Sequence, residues 1–121
     1  MELRILNIVG VTFDNRQEIL KDFYDNVYKE GSKNPIQLLL EDNNPYDKNA
    51  IVVALDVGGG ELKHVGYISK DDNVELRRVF DKIENVYLQS MGANYKGILG
   101  GTIAVVIGDE EHPEIESGSA N

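Results

Sequence analysis

The segment Asn43-Asn44-Pro45-Tyr46-Asp47-Lys48-Asn49 constrains the fold of this chain more than any other. It separates two strongly apolar runs, Ile36 to Leu40 and Ala50 to Leu55. Proline fixes its own φ and pushes the preceding residue out of the helical region, so Asn44-Pro45 marks a turn. The flanking runs, rich in Ile, Leu and Val, are expected as strands over about 36–41 and 50–57. Asn and Asp at such a turn ordinarily bond their own backbone, which makes the segment a well-formed connection. A polar loop between two strands also suits function, because the sheet holds the geometry while the loop carries the chemistry. Turn chemistry by itself favours the first reading.

The rest of the chain continues the strand rhythm. In residues 2–13, Leu3, Ile5, Val9, Val11 and Phe13 fall at odd positions with Ile8 between them, as in one strand or two with a bend near Gly10. Asp14 is expected to cap a helix, with Gln17 three residues on. Ile19, Leu20, Phe23, Tyr24 and Val27 recur on one helical face to about residue 29, and Gly31 ends it. Gly58-Gly59-Gly60 is not followed by Lys-Ser/Thr or by a helix, so it reads as a hairpin between strands at 50–57 and 62–68, not as a phosphate loop.

Ser69 can cap a second helix with Asp71 and Asp72 in its first turn. Its buried stripe is Leu76, Val79, Phe80 and Ile83, and Arg77, Arg78 and Lys82 are expected to face outward. Strands near 85–91 and 98–107 complete the body. Six short strands, two helices and no βαβ rhythm predict a mainly β, α+β fold, a small barrel or curled antiparallel sheet.

Composition narrows the function classes. The 121 residues make one domain, placed at 1–108, with an acidic tail at 109–121. That tail holds five of the acidic residues and no Lys or Arg, and its composition predicts disorder. The formal net charge of −9 opposes generic nucleic-acid binding, although residues 1–108 carry only −4 of it. No cysteine is present, which removes disulfides, thiolate metal sites and Cys nucleophiles. The N-terminal residues lack the pattern of a secretory signal, and no apolar run is long enough to span a membrane, so a cytoplasmic protein without a membrane partner is expected.

Catalytic machinery is hard to assemble from these residues. Only His64 and His112 exist; His64 sits in a strand, and His112 falls in the tail. A calcium loop at Asp42, Asn44 and Asp47 breaks at Tyr46 and lacks the bidentate Glu. No carboxylate pair is singled out by spacing. The expectation is a non-enzyme with no catalytic residue, metal or cofactor. An aromatic ligand site is better supported. Phe13 ends the first strand, Tyr46 lies in the turn and Tyr67 sits beside Gly66. Stacking contributes roughly 1–3 kcal/mol per base, so two or three rings can hold a short single strand despite an acidic body. Core packing is the competing account of Phe13. For Tyr46 it is weaker, since a turn tip buries little.

The run Asp42-Asn43-Asn44-Pro45-Tyr46-Asp47-Lys48-Asn49-Ala50-Ile51, followed by Val65-Gly66-Tyr67-Ile68 and a helix, closely resembles the HIRAN domain. Val9-Gly10-Val11-Thr12-Phe13-Asp14-Asn15-Arg16-Gln17 looks like the opening motif of bacterial members. The resemblance covers about residues 3–90 and implies an OB-like six-stranded β-barrel with two helices. The family occurs fused to Snf-type DNA-dependent ATPases in fork repair, and as small bacterial proteins or fusions to nucleases. In a eukaryotic member the domain captures the 3′-hydroxyl end of single-stranded DNA.

By similarity, Tyr46 and Asp47 match the positions that hold the terminal nucleotide, Asp47 accepting from the 3′-hydroxyl. Phe13 matches a pocket aromatic, Tyr67 replaces a histidine that lies against a base, and Lys70 matches a phosphate-contacting lysine. Thr12 replaces a phosphate-binding arginine and Asp14 a second aromatic. Arg16 can supply the missing cation if the turn after Phe13 brings it back.

The expected function is therefore recognition of single-stranded DNA, or its 3′ end, in DNA repair or replication restart. Phe13, Tyr46 and Tyr67 stack, Asp47 reads the hydroxyl, and Arg16, Lys48 and Lys70 meet phosphates. Its protein partner would be a helicase or nuclease. Thr12, Asp14 and the net charge motivate an alternative, a protein-interaction or regulatory module that has lost DNA binding. A metal-dependent nuclease or phosphohydrolase around Asp42 and Asp47 is a third.

Overall fold

A computed structural model describes residues 1–26, 36–57 and 60–108. In chain order these form β1 (Glu2–Val9), α1 (Arg16–Asn26), β2 (Ile36–Leu40), β3 (Ile51–Asp56), β4 (Leu62–Ile68), α2 (Lys70–Arg78), a 3-10 turn (Phe80–Lys82), β5 (Ile83–Ala93) and β6 (Leu99–Ile107). The strands build one six-stranded antiparallel sheet in the order β2-β3-β4-β1-β6-β5. The expected α+β, OB-like architecture is what the chain adopts. Val27, Gly31, Gly58, Gly59 and the acidic tail lie outside the described residues.

The sheet curls because β1 changes neighbours along its length. Glu2 to Asn7 pair with β6, whereas Ile8 and Val9 pair with Ile68 and Tyr67 of β4. A four-stranded part, β2-β3-β4-β1, and a three-stranded part, β1-β6-β5, thus share β1 as a corner. Gly66 permits this corner: a Cβ there would lie 2.6 Å from both the Val9 carbonyl oxygen and Ile8 Cγ2. Register shifts at Val53/Ala54 in β3 and at two places in β5 add further bend. The edge strands β2 and β5 approach within 8 Å between Cα atoms but do not pair, so the barrel is open along that seam.

The core fills the concave side. Leu20 and Phe23 of α1, Ile51, Val53 and Leu55 of β3, Val65 and Ile68 of β4, Leu76 of α2, and Ile103 and Val105 of β6 are all fully buried. Each such side chain contributes about 1.5–3 kcal/mol relative to exposure. The parity of β1 differs from the expectation. Leu6 and Ile8 are buried, while Leu3 and Ile5 are 61% and 48% exposed. Both faces of this strand carry apolar residues, so alternation alone is ambiguous. Pairing settles it, by setting Leu6 opposite the buried Ile103 and Ile8 opposite the buried Ile68.

Both helices start close to the expected positions, but only one is capped as expected. The Ser69 hydroxyl accepts from the Asp71 amide at 3.1 Å and caps α2. At α1 the Asn15 carbonyl accepts the first helical bond, from Ile19, and Asp14 instead adopts a left-handed φ of 53°. Gln17 closes no capping box; its amide bonds the carbonyls of Val11 and Leu99 and the Leu99 amide, tying α1 to β6. α2 ends at Arg78, and Val79 and Phe80 are only partly buried, because the chain tightens into the 3-10 turn before β5. Among the described residues no helix is long and apolar enough to cross a membrane.

Candidate functional site

A cavity of about 600 Å³ opens where the end of β1, the end of β4 and the β2–β3 loop meet. Val9, Gly10, Phe13, Asp14 and Arg16 form one wall, Asn44, Tyr46, Asp47 and Ala50 a second, and Tyr67, Ile68 and Lys70 the floor. Three sequence segments that are far apart in the chain are thereby joined. Phe13, Arg16, Tyr46, Asp47, Tyr67 and Lys70 all line it; Lys48 is exposed on the loop and outside the lining. The volume lies in the range of small-ligand pockets.

The loop is a well-formed turn and a cavity wall at once. Asn44 Oδ1 accepts from the amides of Tyr46 and Asp47 at 2.8 and 3.0 Å, and Asp47 Oδ1 accepts from the Asn49 amide at 2.9 Å. These Asx bonds satisfy the backbone locally. With the backbone held in this way, Tyr46 stands 89% exposed. Phe13, across the cavity, is 64% exposed. Large apolar rings left in water beside a concavity mark a surface built to be covered.

Tyr67 joins the floor to the loop. Its hydroxyl donates to Glu41 Oε1 at 2.8 Å, and the Asn44 amide donates to the same oxygen at 2.8 Å. Hydrogen bonds from Asn44 and then Tyr67 hold the Glu41 carboxyl below its ordinary range. Burial, then the bond to Glu41, raises the Tyr67 hydroxyl above its own. Behind it the His64 ring meets Tyr67 edge-on at 4.7 Å. Burial, followed by the nearby Arg16 charge, lowers the His64 imidazole.

Arg16 is brought back to the cavity by the turn after Phe13. Gly10, at φ +69°, starts that turn, and Arg16 Nη1 donates to the Gly10 carbonyl at 2.6 Å. The guanidinium lies 5.9 Å from the Phe13 ring centroid and 5.3 Å from that of Tyr67. Its other terminal nitrogen is 3.8 Å from Asp14. Arg16 is therefore a buried wall cation that orients two rings, with part of its donor capacity committed. Lys70, at the exposed start of α2, is the second cation on the cavity.

Two residues escaped the sequence reading. Asn73, buried in α2, donates to Asp47 Oδ2 at 2.9 Å. Arg77, expected to face outward, is turned inward. It donates to the Asn49 and Ala50 carbonyls at 2.9 and 2.8 Å and to Asp42 at 2.8 Å. Being four residues apart, the pair shares one helix face, and that face grips the loop. An asparagine in the middle of a helix is the only hint of this in the sequence, since its side chain competes with the helix backbone unless held elsewhere. Among the described residues no group of three His, Asp or Glu side chains is arranged to hold a metal ion.

Together the elements define an open, OB-like antiparallel barrel with an aromatic cavity at the β1–β4 corner. The crystal structure of the HIRAN domain of human HLTF is similar to this chain, with a TM-score of 0.57 at 20% sequence identity. The match covers 90% of this chain and 78% of that one. The fold is thus HIRAN-like, as the motifs implied. No protein-family model and no curated protein matches the chain.

Proposed function

We propose that this chain is a non-enzymatic module that binds single-stranded DNA by its 3′ end, in a repair or replication-restart setting, alongside a helicase or nuclease. One observation carries the reading: the exposed rings of Phe13 and Tyr46 and the ring of Tyr67 line one cavity with the Asp47 carboxylate and two cations. The rings offer π-faces to bases, which is sequence-tolerant recognition. Asp47 offers an acceptor to a terminal hydroxyl, and Lys70 and the uncommitted donors of Arg16 suit a phosphate. With so few cations the protein neutralises only two or three phosphates.

Fluorescence anisotropy with labelled single-stranded oligonucleotides tests this. Binding is expected at low salt, with log K falling against log salt at about −0.7 per phosphate. Tyr46→Ala and Phe13→Ala are each expected to weaken it by roughly 1–3 kcal/mol. Absence of binding at low salt overturns the reading.

Asp14 favours a second reading. It lines the cavity with an exposed carboxylate on a left-handed residue, an unfriendly wall for phosphate. On that reading the cavity receives a protein segment, and a pull-down from nuclease-treated lysate retains protein partners.

A further inference from the structure

Asn73 is 2% exposed in the middle of α2. Burying an amide there is unfavourable unless it is hydrogen-bonded. Its Nδ2 donates to Asp47 Oδ2, while Asp47 Oδ1 takes the Asn49 amide. Each carboxylate oxygen therefore carries one bond from the protein. A carboxylate has about four lone-pair positions, so acceptor capacity remains for a donor inside the cavity. Two bonds to different oxygens fix the plane of the carboxylate, which a single bond would leave free to rotate. α2 is a firm base for this: Ser69 caps its start and Arg77 bolts its other end to the loop backbone. Lys70 lies on the same helix, so α2 sets the acceptor and one of the two cations of the cavity.

From this geometry we infer that Asn73 is a positioning residue that sets end specificity, aiming Asp47 at a hydroxyl donor and against a phosphate-ended strand. The inference rests on the proposed reading of Asp47 as the hydroxyl acceptor. An apolar residue of similar volume, as in Asn73→Leu, would keep the packing and lose the aim.

Two measurements on the full chain test it. In the free protein, NMR follows the Asn73 side-chain amide. It is expected to be protected from exchange, and Asp47→Ala should shift it and remove the protection. An amide indifferent to Asp47→Ala overturns the inference. The second measurement titrates single-stranded DNA ending in a 3′-hydroxyl or a 3′-phosphate. Asn73→Leu, or Asn73→Ala if the first variant folds poorly, should lose about tenfold affinity for the hydroxyl end and about twofold or less for the phosphate end. In an Asp47→Ala background the same substitution should change neither further. Equal losses for both ends, or an additive loss in the double variant, overturn the positioning role. Wild-type protein that binds both ends equally would instead remove the hydroxyl reading of Asp47, and the specificity claim with it, even if the amide coupling persists.

Discussion

Glu41 and His64, which both contact Tyr67 of the cavity, are expected to respond to acid in separate pH windows. Glu41 takes two donors, so its folded carboxyl titrates lower than in the unfolded chain. Its tether between loop and floor is present above the ordinary carboxylate range and is lost as pH falls through the lowered folded value. His64 acts higher. Its imidazole is lowered from an ordinary 6.5, so the unfolded chain takes up the proton first as pH falls. Stability from a neutral His64 is complete above that value and declines below it. Thermal melts are expected to show Tm falling from about pH 7 to about pH 5.5, with the slope flattened in His64→Phe. An unchanged slope would contradict this role. Gly66 is constrained by space. Gly66→Ala is expected to cost about 1–3 kcal/mol in chemical denaturation, because its Cβ meets backbone that cannot yield. A neutral effect would mean that the β1–β4 corner has slack.

At the scale of elements, the α2–loop clamp decides whether the cavity is preformed. Arg77 holds two loop carbonyls and Asp42, so Arg77→Met should destabilise the fold by about 1–3 kcal/mol. It should also raise hydrogen exchange at Asn44–Asn49, measurable by NMR; exchange confined elsewhere would contradict the clamp. Element positions were largely legible in the sequence, for good reasons. The apolar runs at 36–40 and 51–56 have strand length and sharp polar borders, and Ser69-Lys70-Asp71-Asp72 carries its own cap. What stayed illegible depends on tertiary pairing. The inward face of β1 follows from its neighbours Ile103 and Ile68, since Leu3, Ile5, Leu6 and Ile8 serve both faces of the pattern. Asp14 does not cap α1, because it takes a left-handed φ of 53° inside the turn closed by the Arg16 amide on the Phe13 carbonyl.

For the molecule as a whole, curling gathers the site. β1 serves both halves of the sheet, so the opening motif and the Gly66-Tyr67 strand meet at the corner, and the β2–β3 loop folds over it. Sequence motifs named most of the lining because those residues are marked by turn chemistry and aromatic type. The gripping residues Asn73 and Arg77 carry no such mark, and only the packing of α2 reveals them. The charge of −9 opposes general nucleic-acid binding, so on the proposed reading affinity would come from stacking and from an end group. The most direct test is the ratio of affinities for one oligonucleotide with a free or a phosphorylated 3′ end, measured at low salt on wild-type protein and Asp47→Ala. About tenfold or more preference for the free hydroxyl is expected in the wild type, with loss of that preference in the variant. Equal affinity for both ends in the wild type would contradict the proposed reading.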